Sequence, residues 1–529
     1  MEDLLATSTF LHDSCFSILY SAQYHYSDSM PLRNVQSRAP DVPEHYLPDP
    51  SDHHPIHVPI ARNWDDVLLN AVGVAIAPIV SPGTRPPPRR VEDLRRAAQP
   101  ASRVDSDTFS TSFISRMYSA QLPGHSTPGT DLNVALKHEL MNDIIKTDSN
   151  FITSYLFPAS RSPFPIDDDL FNKISTPYVT NEGACIRPIW NSHLYQPRRL
   201  PDKFTETDTA NWLNDIGAAL ANATGSQLRR VWSHRNCDKA PDGWSIKRKP
   251  DIILINKDYH SKLTSANAPS DWNFIQALCE VTSQDHISSR IIDTINAKSF
   301  IMFATQHNRR FVVALSLNSP KAFRLTISDR EGQIRLNETT LSGKRDSTLF
   351  LTILAFLMFG DDADLGLDPN VLIDQDGRVQ RILVDNKCYV VKKLIHSVET
   401  LIGRATKVWI VSPDDSPETS YILKDSWIQS CHVESEVSFL NKLSRKLEGH
   451  VPNLICGGDV TIKGVQDSTG RYRVDLAGYP YRQRVHRRIV TSTIGEPLTM
   501  FQSKKDFLNV MISFIQSMSH YANSNIRYL

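Results

Sequence analysis

YILKDSWIQSCHVESEVSFLNKLSRKL, residues 421–447, reads as a strand running into a helix. In YILKD, alternation places Ile422 and Lys424 on one face. Beyond residue 432 the apolar period lengthens. At about 100° per residue, Val433, Val437, Leu440, Leu443 and Leu447 gather on one side of a helix over 432–447. Glu436 falls in the middle of that stripe, and Glu434 points away. A carboxylate among apolar residues is costly unless it is paired. Lys424, twelve positions earlier (436 − 424 = 12), is the natural partner. Two plainer readings stay open: a strand lysine is ordinarily solvated, and a glutamate at the stripe's edge reaches water.

Upstream, RILVD and CYVVKKLI form a predicted hairpin around Asp385-Asn386, and KVWIV (407–411) pairs with SYILKD (420–425). Gly403 lies in LIGRATKVW (401–409), between strands, with the small residues Ala405 and Thr406 close by. Such a turn lets backbone amides approach a phosphate, although one glycine between strands is also an ordinary turn. Downstream come a strand near 486–493 and a helix over 503–524, with Ser503 and Asp506 in capping-box-like spacing.

Before this block, DIILIN (251–256), IQALCEVTS (275–283), RRFVVALSL (309–317) and FRLTISD (323–329) read as strands, with SPKAF as a hairpin link. Helices are predicted over 205–222 and 288–306, and a further one over 135–157 from Leu140, Ile144, Ile145 and Phe151. LFLTILAFLMF (349–359) reads as a buried helix, too short for a bilayer, which takes about 20 residues. LLNAVGVAIAPIV (68–80) is ambiguous between a helix and an apolar linker. The first 130 residues hold 15 of the 32 prolines, which predicts a mostly disordered segment over 1–132 with a helix near 91–98. The expected organisation is that segment, an α/β unit over 133–370, and a strand-rich unit over 379–529.

Lys+Arg and Asp+Glu both number 58, a balance that argues against general electrostatic binding to nucleic acid. The cluster Arg482, Arg484, His486, Arg487 and Arg488 is read as a solvated strand face in preference to a phosphate contact. Seven scattered cysteines without a CxxC pair suit a reducing compartment. Glu2 and Asp3 stand where a signal peptide is basic, so the expectation is an intracellular protein, cytoplasmic or nuclear, with no membrane span. His53, His54 and His57 form a short histidine group, a candidate for metal binding.

Asp251 in PDIILIN and Glu280 in CEVTS have the outline of a PD-(D/E)XK nuclease core, in which two such acids hold a metal. That chemistry wants a lysine two residues after the second acid, and position 282 is threonine. A relic of that fold, or plain strand-end carboxylates, are the better readings.

KLIHSVETLIGRATKVWIV, YILKDSW, VPNLICGGDV and HRRIVTSTIGEPLTMFQSKKDFL, taken together, resemble the fungal-type protein kinase domain family. KPDIILIN, ALCEVTSQ, NRRFVVALSL, LTISDREG and FLMFGDDADLGLDP resemble its N-terminal extension, so the likeness covers roughly 180–529. The resemblance implies an α+β fold with a kinase-like N-lobe, and ATP-dependent phosphorylation of protein Ser/Thr hydroxyls. It implies that Lys424 pairs with the α- and β-phosphates of ATP, that Glu436 holds that lysine, and that Gly403 is the first glycine of the phosphate loop. Ala405 stands where the family has its second glycine, and Val408 where many kinases have the third. No His-Arg-Asp triplet occurs, and Asp364-Leu365-Gly366 precedes Lys424, the wrong order for a magnesium motif. The catalytic loop would begin where the residues stop, at Leu529. The expectation is therefore no catalytic residue in this chain, Mg2+ only with a C-lobe, and a pseudokinase or scaffold with an unknown protein partner. An isolated N-lobe would also expose apolar surface.

Overall fold

The structure is a computed structural model. It describes residues 128–140, 144–175, 178–179, 185–186, 190–191, 196–197, 205–282, 289–318, 322–341, 344–430, 435–444, 452–473, 483–492, 494–495 and 501–523. The expectations for 1–127, including residues 68–80, the helix near 91–98 and His53, His54 and His57, lie outside these residues, as does Arg482.

The first half is built on an eight-stranded mixed sheet. Its principal elements are α1 (Pro128–Leu140), β1 (Ile144–Thr147), α2 (Glu206–Thr224), β2 (Arg230–Ser233), β3 (Ile252–Asn256), α3 (Lys257–Ala266) and β4 (Ala277–Thr282). They continue with α4 (Ser289–Thr305), β5 (Val312–Asn318), β6 (Ala322–Asp329), β7 (Gly332–Leu336) and α5 (Lys344–Phe359). The strand order is β1-β7-β6-β5-β4-β3-β2, with Thr339–Thr340 also pairing with β6. β4 and β5 run parallel, and α4 is the crossover between them, as the spacing predicts.

Both faces of this sheet are covered, which is why its strands read as unbroken apolar runs. Ile252, Leu254, Val313 and Leu315 pack with α2 and α5 on one side. Ile253, Ile255, Val312 and Ala314 pack with α1 and α4 on the other. α2 starts at Thr205, whose Oγ1 accepts the Asp208 N–H at 3.1 Å, and stops at Gly225 in left-handed backbone (φ 70°). Leu349, Phe350, Leu354 and Phe359 of α5 are all buried, so LFLTILAFLMF is a core helix. No helix among the described residues is long and apolar enough to cross a membrane.

The helix expected over 135–157 is corrected. α1 ends at Leu140, and Ile144–Thr147 is a strand paired in parallel with β7. Leu132, Leu136 and Leu140 form the buried stripe of α1. Ile144 continues that spacing by four, but pairing Ile145 with Ile334 extends the sheet and satisfies backbone groups at its edge.

The second half is a curled antiparallel sheet of seven strands. These are β8 (Val371–Ile373), β9 (Val379–Val384), β10 (Lys387–Ser397), β11 (Lys407–Pro413) and β12 (Tyr421–Gln429), followed after α6 (Glu436–Ser444) by β13 (Leu454–Asp459) and β14 (Arg484–Thr491). The order is β8-β9-β10-β11-β12-β14-β13, and α7 (Lys504–Asn523) comes last. The β9–β10 turn has both Asp385 (φ 49°) and Asn386 (φ 61°) left-handed, the geometry that matches strand twist in a tight hairpin. Exposed apolar side chains include Phe501, just before α7, and Leu508, Val510 and Ile512 within it.

The two sheets meet through polar groups. The β6–β7 turn carries Asp329, which accepts both Arg473 guanidinium N–H groups at 2.5 and 2.8 Å. Arg310, just before β5, donates to Asp467 at 2.8 Å.

Candidate functional site

β12 lies between β11 and β14, and its alternation sorts the site into two faces. Lys424 stands between Val408 and Ile489 on one face. Asp425 stands between Lys407 and Arg488 on the other.

On the first face the Lys424 ammonium donates to Glu436 Oε1 at 2.7 Å, with the two side chains 14% and 11% exposed. Glu436 is the first residue of α6, so the described helix is shorter than the 432–447 expected, and the carboxylate sits at the helix N-terminus. That end of the helix dipole favours negative charge, a second reason for the acid besides the lysine. An ion pair this sheltered, with one edge open, holds the ammonium in a fixed direction and leaves it donors to spare.

The loop before β11 is arranged differently. The Gly403 N–H donates to the Arg330 carbonyl at 2.9 Å, and the Ile402 N–H donates to Glu139 Oε1 at 2.7 Å. Leu401 is buried among α1 and α4 residues. Ala405, at φ 44°, is buried and borders the cavity on the Asp425 side. The structure thus brings Lys424 and Glu436 together, but it commits the Gly403 amide to the first sheet and turns Ala405 to the opposite face. Lys424 and Glu436 fit a phosphate-bearing ligand, whereas the loop in this arrangement offers it no Gly403 amide.

On the second face the cluster read from sequence as a solvated strand is corrected. His486 and Arg488 are buried, because the first half of the chain covers this side of the sheet. His486 Nε2 lies 2.5 Å from Asp425, and Nδ1 lies 2.9 Å from Asp467. Burial disfavours the imidazolium, but the two carboxylates outweigh it and push the pKa up to about 9, so both ring nitrogens donate. Asp425 is desolvated as well, and Arg488 and His486 still hold its carboxyl well below the usual range. Arg488 Nε donates to Asp425 at 2.7 Å, and its Nη2 donates to Asp368. The Trp427 ring stacks flat on the His486 ring, centroids 4.5 Å apart. Sequence alternation shows which residues share this face but not what covers it.

Asp251 and Glu280 lie at adjacent ends of β3 and β4, as their strands predict. The lysine missing at 282 has a counterpart from elsewhere: Lys298 of α4 donates to both Glu280 oxygens at 2.6 Å. Both partners are buried, and burial pushes Glu280 up to about 7 despite Lys298. Asp251 Oδ2 accepts the Val281 N–H at 2.9 Å. Both Glu280 oxygens accept from Lys298, and no group of three metal-capable side chains occurs among the described residues. The cluster is a buried ion pair bracing α4 against the sheet. Asp364-Leu365-Gly366 is likewise structural: Asp361 caps the turn, and Gly366 (φ 90°) leaves no room for a Cβ beside the Phe311 carbonyl. Cys237, Cys279, Cys388 and Cys456 are free thiols.

Residues 249–526 match the family model described as fungal protein kinase. The match takes in β3 to β7 of the first sheet and all of the second and spans more than half of the chain, and the chain belongs to that family. No curated protein and no solved structure matches it.

Proposed function

We propose that the curled sheet is a kinase-like nucleotide-binding lobe in which Lys424 holds the α- and β-phosphates of ATP. The observation that carries this reading is the 2.7 Å pair between a lysine on an inner strand and a glutamate on the helix that follows it. Glu436 keeps the ammonium aimed out of the sheet, so phosphate oxygens meet a positioned charge. Bound ATP would supply a phosphoryl group. The residues after Lys424 include no His-Arg-Asp base and no Asp-Phe-Gly metal ligand, so the proposed activity of these residues is binding without transfer. The family's own chemistry, phosphorylation of protein Ser/Thr hydroxyls, is a proposal only for a chain that adds those groups, and magnesium enters with them.

Thermal unfolding with and without Mg-ATP tests this. Binding raises the midpoint by mass action, and in Lys424→Met the midpoint with Mg-ATP equals that variant's own ligand-free midpoint. An unchanged wild-type midpoint at saturating nucleotide leaves the non-catalytic scaffold reading in its place.

A further inference from the structure

The Asp425 face of the curled sheet encloses a small cavity lined by more basic than acidic side chains. Six cationic side chains line it: Arg309, Arg310, Arg330, Lys407, His486 and Arg488. Asp368 and Asp425 in the lining and Asp467 behind it are the carboxylates in contact with these groups; burial pulls Lys407 down to about 7, and Glu139, Asp329, Asp362 and Glu399 act on Arg330, Arg309 and Lys407 from farther off.

Three of the cations have no carboxylate within ion-pair distance among the described residues. Arg309 donates to the Leu365 and Ile275 carbonyls and to Gln306. Arg330 donates to the Thr400 carbonyl at 2.6 Å and lies over the Phe303 ring at 3.8 Å. The Lys407 ammonium donates only to the His307 carbonyl, at 3.2 Å. Two buried donors, Arg330 Nε and Arg488 Nη1, meet no acceptor.

Buried charge without a counter-charge is expensive, and so is a buried donor without an acceptor. A water would satisfy the donors but leave the charge. An anion answers both. The cavity is of water-molecule scale, which suits a monatomic ion and excludes a nucleotide.

We propose that the interface between the two sheets binds a halide, chloride under ordinary conditions, held by Lys407, Arg330 and Arg488. The site is separate from the Lys424–Glu436 pair, which faces the other way from the same strand. Ala405 and Lys407 both border it, so the bound ion braces the start of β11 against the first sheet.

The test is thermal unfolding of the full chain in chloride against gluconate at matched ionic strength. Gluconate screens charge equally but is too large to enter. The expected result is a saturable, chloride-specific rise in midpoint. At a concentration ten times Kd the folding equilibrium constant is raised about 11-fold. Lys407→Met, which removes one of the three donors, loses that increment. Crystals grown in bromide show an anomalous peak among Lys407, Arg330 and Arg488, a readout that needs no variant. Equal wild-type midpoints in the two salts, or a bromide crystal without that peak, overturns the proposal.

Discussion

His486 shows what a single side chain contributes when the fold supplies its surroundings. Its pKa rises from an ordinary value near 6.5 to about 9 because it bridges Asp425 and Asp467. A group whose pKa is higher in the folded state stabilises fully below its unfolded pKa, and that contribution is lost as pH rises through the folded value. The difference in unfolding midpoint between wild type and His486→Gln is therefore largest at or below about pH 6.5 and shrinks as pH rises through about 9. Urea titrations of both proteins across that window check this; a difference that stays constant or grows with pH contradicts it. Other titrating groups, Lys407 among them, occur in both proteins, so the comparison isolates the imidazole. The Lys424–Glu436 pair was legible in the sequence because an acid inside an apolar stripe needs a nearby cation. The His486 bridge was not, because its partners come from 61 residues before it and 19 before it, and no period links those positions.

At the scale of elements, local chemistry carried furthest where a turn or cap dictates backbone geometry. Asp385-Asn386 sits where both residues must be left-handed, and Asp385 Oδ2 also accepts the Gly457 N–H at 2.8 Å. Asn386→Gly is expected to leave stability unchanged or slightly raised, since glycine adopts that conformation freely. Asn386→Val should lower stability by about 1–2 kcal/mol, the cost of left-handed backbone at a β-branched residue. Urea midpoints of the two variants decide it, and a valine as stable as the glycine would show that the turn is not under this constraint. The failure over 135–157 has the converse cause. Leu140 and Ile144 keep helical spacing, but the open edge of β7, whose other edge pairs with β6, captured Ile144–Thr147. Propensity is a weak prior when a sheet edge competes for the same residues.

Across the whole molecule, the two sheets are held by ion pairs more than by a shared apolar core. Arg473 and Asp329 are both buried, 144 residues apart, and joined by two hydrogen bonds. Removing Asp329 leaves Arg473 with Glu331, 3.8 Å away, as its carboxylate, and loses two short hydrogen bonds, at a cost of about 3 kcal/mol. Asp329→Ala should lower the unfolding free energy by that amount. Because the pair joins the two sheets, the loss should show equally to probes in the first and the second. A loss below about 1 kcal/mol would mean that Glu331 alone suffices to hold Arg473.

Composition, the central strands of both sheets and the core helix over 349–359 were legible in the sequence, and the pairing of Lys424 with Glu436 was one of the readings it offered. Each depends on spacing within a short stretch, where backbone geometry converts order along the chain into position in space. Which face of β12 meets the first sheet, the burial of His486 and Arg488, the arrival of Lys298 beside Glu280, and the capture of the Gly403 amide were decided only in three dimensions. Those depend on the packing of segments distant in sequence, and the burial such packing imposes on a charge leaves no periodic trace along the chain.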